Sequence, residues 1–156
     1  MTNSVLLDTS FIIRLLNDDD DLHNNTLNYY KYFLEKNTTL KISTISIAEY
    51  CVGGDITDLP YKNLQILPFN FDHASKTGEF ARILFENKAI LKPRVCIPND
   101  AKLFAQAHVD KNITHFISSD TNALKAIKLL KNKIDIHFEF IDLHTSYNEM
   151  FGILGL

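Results

Sequence analysis

Short aliphatic runs alternate with stretches of helical periodicity along the whole chain, and this alternation limits the possible folds more than any other feature. Residues 4–7 (SVLL) form an apolar run that fits a fully buried strand. A helix is expected at once over about 9–16, with Phe11, Ile12, Leu15 and Leu16 on one stripe. The acidic run Asp18–Asp21 ends it and opens a second helix, about 22–36, because acids are favoured in a first helical turn. "TLKISTIS" reads as a strand over about 39–44, and "SIAEYCVGG" as a short helix stopped at Gly53 or Gly54. Residues 55–64 are turn-like, and "QILPF" is a short strand. A long helix is expected over about 72–89, then a loop "LKPRVCIP", then a helix over about 99–110 behind Pro98. The pattern closes with strand 113–118, helix 120–131 and strand 136–142, with no internal repeat or low-complexity linker.

Such an order predicts an α/β fold: a three-layer α/β/α sandwich around a mainly parallel sheet. The 156 residues, 46% of them hydrophobic, suit one domain over 1–145 with an apolar tail at 146–156. The tail's "MFGILGL" reads either as a docking segment for a second copy or another protein, or as a strand of chain tucked against its own domain. A net charge of −3 argues against a polyanion binder held by bulk positive charge, but not against a nuclease with an acidic metal cluster. Cys51 and Cys96 lack CxxC spacing and read as buried, reduced thiols, which suits a cytoplasmic protein. No basic-then-apolar leader opens the sequence, and no apolar run nears the roughly 20 residues that cross a bilayer.

In parallel sheets, sites lie outside the carboxyl ends of the strands. Asp8 follows the first strand, Glu49 lies one turn into the helix after the second, and Asp120 follows "HFIS". Asp100 opens the helix that runs back to the start of that strand, so its end also lies near this edge. Each acid has an ordinary structural role open to it. Asp8 and Asp120 stand where helix N-caps stand, Asp100 suits a first turn, and Ser46–Glu49 reads as a capping box. Four gathered carboxylates, however, repel one another and raise each other's pKa unless cations lie among them. Hard oxygen ligands point to Mg²⁺ or Mn²⁺. His23, His73, His108, His115, His137 and His144 are scattered, with no HxH or HxxxH pair to compete.

The ordered set "VLLDTSFIIRLL … TISIAEYCVG … IPNDAKLFAQAHVDKNITHFISSDTNALK" resembles the PIN domain, particularly its VapC-like ribonucleases, over about residues 4–142. The resemblance implies that Asp8, Glu49, Asp100 and Asp120 bind one or two Mg²⁺ or Mn²⁺ ions for RNA cleavage. Asn122 stands where the family often has a further ligand, and Ser118 where it has a hydroxyl. It also implies an antitoxin protein as partner. Two departures stand out. Leu124 occupies a position where an aromatic is common, and Gly53–Leu64 is short where VapC-like toxins carry a helix pair.

From the residues themselves, Arg14 and Lys125 are the candidate contacts to the RNA backbone, while Lys128, Lys131 and Lys133 extend a stripe that reads as a solvated face. Tyr29, Tyr30, Tyr32 and Phe33 could stack bases, although helical spacing favours core packing for Phe33. Two other functions fit parts of the pattern. One is a PIN-type binding module for RNA or protein with little nuclease activity. The other is a receiver-like phosphoacceptor, which wants an acidic pair after the first strand, whereas Thr9 follows Asp8 here.

Overall fold

The computed structural model describes residues 3–87 and 97–152. Five strands, β1 (Ser4–Leu7), β2 (Thr39–Ser43), β3 (Leu64–Leu67), β4 (Ile113–Ser118) and β5 (Glu139–Asp142), form one sheet in the order β3-β2-β1-β4-β5. Every neighbouring pair is parallel. The helices among the described residues are α1 (Thr9–Leu15), α2 (His23–Glu35), α3 (Thr44–Tyr50), α4 (Phe71–Asn87), α5 (Asn99–Val109), α6 (Thr121–Lys131) and α7 (Tyr147–Met150). None is long and apolar enough to cross a membrane.

The pleat sends successive side chains to opposite faces, and the sequence exploits this on both sides of β1. Leu6 joins Phe104, Phe116, Phe138, Leu103 and Ile127 in a core under α4, α5 and α6. Val5 and Leu7 join Phe11, Ile12, Tyr29, Phe33, Leu40, Ile42 and Ile117 in a second core under α1 and α2. The three-layer α/β/α sandwich expected from the alternation is therefore present.

Strand order decides where a site can form. The chain winds from β1 outward to β2 and β3, then returns to place β4 and β5 on the other side of β1. The winding reverses between β1 and β4, and there the loops at the carboxyl ends diverge and open a crevice. Register aligns Leu7 with Ile42 of β2 and with Ile117 of β4. Asp8 and Ser118 therefore leave the sheet side by side.

Several local readings are corrected. Helix α3 begins at Thr44, and its cap is Ser43, whose hydroxyl accepts the Ile45 N–H at 3.0 Å. Ser46 thus lies inside the helix, fully buried, and Ser46–Glu49 is not a capping box. Strand β5 starts only at Glu139, although Ile136 and Phe138 before it are buried. Cys51 caps the carboxyl end of α3 and is exposed, because the chain leaves the sheet there along an exposed loop with two short 3₁₀ turns. Cys96 and part of the loop 91–98 lie outside the described residues, as do residues 88–89 of the expected long helix. At the carboxyl end α7 packs on α2, with Phe151 stacked on Tyr32 at 4.2 Å between ring centres and the Tyr29 hydroxyl donating to the Thr145 carbonyl at 2.7 Å. Residues 146–152 are thus tucked against their own domain, and 153–156 lie outside the described residues.

Candidate active site

Asp8 occupies the N-cap position of α1, with extended backbone angles and a carbonyl that accepts the Phe11 N–H at 3.0 Å. Its side chain caps nothing. Instead Oδ2 accepts hydrogen bonds from Ser10 Oγ at 2.8 Å and Ser118 Oγ at 2.7 Å. Both hydroxyls are engaged further, and they lie 3.3 Å from each other. Ser10 Oγ also accepts the Ser119 N–H at 3.0 Å, and Ser118 Oγ accepts the Asp120 N–H at 3.0 Å. The two serines thus bind the β4–α6 turn to the Asp8 carboxylate, which is 6% exposed. Oδ1 takes no hydrogen bond from any described residue.

Asp120 behaves differently. It caps α6 by accepting the Asn122 N–H at 2.8 Å, and it is exposed. Its sequence-based reading as an N-cap holds, whereas that of Asp8 as a side-chain cap does not. The physical cause is competition: two nearby hydroxyl donors take the Asp8 carboxylate before the helix amides can.

Glu49 is half-buried on α3, and its Oε1 is buried without a hydrogen-bond partner among the described residues. Burial and, after it, the Asp8 charge push its carboxyl above the usual range. The Asn99 and Thr9 side chains and the Lys102 ammonium pull it back, although no bond of good geometry reaches Oε1. Asp100, in the first turn of α5, lines a cleft of about 380 Å³ with Asp120, Asn122, Leu84, Phe85, Pro98 and Ala126.

The four acids therefore share one sheet edge in two groups: Asp8 with Glu49, and Asp100 with Asp120 and Asn122. Among the described residues no three Asp, Glu, His or Cys side chains form a closed cage for a metal. Mg²⁺ does not need one, since it keeps several waters and binds through one or two carboxylates plus substrate phosphates. The residues present fit such an ion. All the donors are hard oxygens, and the unpartnered Glu49 Oε1 is a buried acceptor that a cation would satisfy.

Of the expected substrate contacts, Lys125 is exposed on α6, as are Lys128 and Lys131, the last paired to Glu139 at 3.3 Å, and Lys133 is exposed just past the helix. Arg14 is engaged within the protein by Asp20 and Ser119. The aromatic run is no stacking surface. Tyr29 and Phe33 are core residues, Tyr32 is covered by Phe151, and Tyr30 Oη accepts from Asn63 at 2.8 Å. Moreover, the carboxyl half of α2 leads into the start of β2, at the edge of the sheet opposite the acids. Sequence reasoning missed Ser10, Ser119, Asn99 and Lys102. Ser10 carried a signal, a hydroxyl two residues past a strand-end Asp, where it can compete for that carboxylate.

No family model matches the chain, and no curated protein matches it. Solved structures do. A structure of VapBC2 from Rickettsia felis bound to a promoter DNA fragment superposes with a TM-score of 0.56 at 23% identity, over 88% of this chain and 98% of that one. DNA-bound VapBC from Salmonella typhimurium gives 0.58 at 15% identity, over 91% and 99%. VapC20 from Mycobacterium tuberculosis, a sarcin–ricin loop cleaving toxin, gives 0.52 at 18% identity, over 79% and 95%. The fold is PIN-like. At these identities the likeness is one of fold, so the chemistry of this chain rests on its own residues.

Proposed function

We propose that this chain is a divalent-metal-dependent endoribonuclease of the PIN/VapC-like type, with Mg²⁺ or Mn²⁺ as cofactor and RNA as substrate. The observation that carries this reading is Asp8. A buried carboxylate at the topological switch point is aimed by two serine hydroxyls, withheld from capping, and set beside a half-buried glutamate with an unpartnered oxygen. Capping alone gives no reason for that arrangement. Asp8 and Glu49 would hold the ion, with Asp100, Asp120 and Asn122 completing the acidic edge. When bound, the ion activates water for attack on phosphorus and offsets charge on the phosphate oxygens. Ser10 and Ser118 hold the Asp8 carboxylate in orientation through two hydrogen bonds to Oδ2. Lys125, exposed in the first turns of α6 behind Asp120, is the cation that an RNA backbone would meet.

The reading extends to a cytoplasmic toxin with a protein antitoxin, its catalytic apparatus contained in one domain over 1–145. Two of the structural neighbours are VapBC structures. Beside Glu49 runs a groove of about 450 Å³ lined by Ile13, Leu16, Tyr50 and Val52. Ile13, Leu16 and Val52 are 49%, 38% and 90% exposed, an apolar strip next to an acid that suits a protein partner.

The test is cleavage of single-stranded and structured RNA in Mg²⁺, Mn²⁺ or EDTA, with Asp8→Asn as control. Cleavage by the wild type in metal alone, lost in the variant, supports the reading. RNA binding without cleavage in any ion supports the binding module instead.

A further inference from the structure

Arg14 stands in the last turn of α1, its side chain 27% exposed. Its Nε donates to Ser119 Oγ at 2.8 Å, and one terminal nitrogen, Nη1, donates to Asp20 Oδ1 at 2.6 Å. Asp20 is itself fixed, since Oδ1 also accepts the Leu22 N–H at 2.8 Å and its carbonyl accepts the His23 N–H at 2.9 Å. The Arg14 carbonyl meets His23 Nδ1 at 2.9 Å. The guanidinium therefore bridges the start of α2 and the turn between β4 and α6. In that same turn the Ser119 and Asp120 amides rest on Ser10 and Ser118, the two hydroxyls that hold Asp8.

We propose that Arg14, anchored by Asp20, is a positioning residue that sets the Ser118–Asp120 turn against Asp8, and is not a ligand of the RNA backbone. The proposal deepens the ribonuclease reading and rests on it. The charge of Arg14 is already met by a carboxylate at 2.6 Å, one that the Leu22 N–H also holds, so a phosphate would meet a guanidinium whose charge is offset and whose Nε is committed to Ser119. The planar guanidinium, with Nε committed to Ser119, transmits the orientation of α1 to the turn as a rigid plate. Lysine has no such fork and would keep one of the two contacts. Sequence placed Arg14 at the right edge of the sheet. Only the structure shows that Nε and Nη1 are spent on Ser119 and Asp20.

Three variants test this: Ser119→Ala, Asp20→Asn and Arg14→Lys. Ser119→Ala removes only a hydroxyl and leaves the Arg14–Asp20 pair intact, so it tests the bridge even if an Arg14 variant folds poorly. Each is expected to lower kcat about tenfold, the worth of one hydrogen bond to a charged group, with KM unchanged within about twofold. Arg14→Lys combined with Ser119→Ala should be little worse than either alone, because both break one bridge. Backbone amides of Ser119 and Asp120 should exchange faster in each variant, and Mn²⁺ should bind more weakly by calorimetry. A raised KM with unchanged kcat in Arg14→Lys would overturn the proposal in favour of a phosphate contact. A higher kcat/KM in Asp20→Asn would overturn it too, as would unchanged amide exchange in all three variants. If the wild type cleaves no RNA, the ribonuclease reading falls, while amide exchange and Mn²⁺ affinity still decide the role of Arg14.

Discussion

Replacing Asp8 separates its charge from its shape. Asp8→Asn keeps an acceptor oxygen where Oδ2 receives Ser10 and Ser118 at 2.8 and 2.7 Å. Each bond loses its charge assistance, about 1 kcal/mol apiece. Removing the Asp8 charge also ends its repulsion of Glu49, whose carboxyl that charge helps to raise. The two effects oppose, so the net loss is about 1 kcal/mol, or ~2–4 °C in Tm for a chain of this size. Asp8→Ala differs, because it removes the shared acceptor of the fully buried Ser118 hydroxyl and the half-buried Ser10 hydroxyl, which lie 3.3 Å apart and can satisfy only one donor between them. The stranded donor and lost bonds together cost about 3 kcal/mol, or ~6–12 °C. Thermal melts followed by circular dichroism, run beside an RNA cleavage assay in Mn²⁺, check both. Both variants should lose cleavage, yet only alanine should melt much lower. Cleavage retained by Asp8→Asn would remove Asp8 from the metal site. An asparagine variant that melts as low as the alanine one would show that the charge serves stability.

Other substitutions probe neighbouring parts of the same account. Glu49 is raised in the folded state, so without metal the native protein holds its proton longer than the unfolded chain. Stability from this group therefore falls as pH rises from the ordinary value of 4.5. The difference in Tm between wild type and Glu49→Gln, measured from pH 4 to pH 7 in EDTA, should change in that sense and shrink when Mn²⁺ is added; a flat difference would refute the account. Lys41, 9% exposed, pairs with Asp110 across the β2–α5 boundary, and Lys41→Met should cost about 3 kcal/mol by leaving that carboxylate without its cation, as a denaturant titration would show. Ser46, inside α3, carries a buried hydroxyl with no hydrogen-bond partner among the described residues, so Ser46→Ala should stabilise the protein by about 0.5–1 kcal/mol through better helix propensity and removal of that hydroxyl. Asp120 does cap α6: Asp120→Ala should lose about 1 kcal/mol in the same titration and Asp120→Asn almost none, while equal losses would contradict the cap.

Element types and their order were legible because burial imposes period. SVLL, TLKIS and ITHFIS read as strands, and the stripes of α1, α5 and α6 as helices, whatever their neighbours. Boundaries were less legible where two hydroxyls competed for one cap. Ser43 and Ser46 both precede apolar residues, and only the point at which β2 leaves the sheet selects Ser43.

For the site, the sequence by itself determined that acids stand at the ends of parallel strands, since the positions of Asp8, Glu49, Asp100 and Asp120 follow from chain order and the one-edge rule for such sheets. It could not determine what each carboxylate does. Asp8 and Asp120 look alike in the chain, both acids between a strand and a helix, yet one is turned to two serines and the other to a helix amide. Ser118 lies 110 residues from Asp8 and Ser119 lies 105 from Arg14, and these partners meet only because β1 and β4 are neighbours in the sheet. Hydrogen bonds are short and directional, so the partner that wins a polar group is the one the tertiary fold brings within 3 Å or so. Periodicity reports which face is buried; it carries no record of which distant residue arrives there.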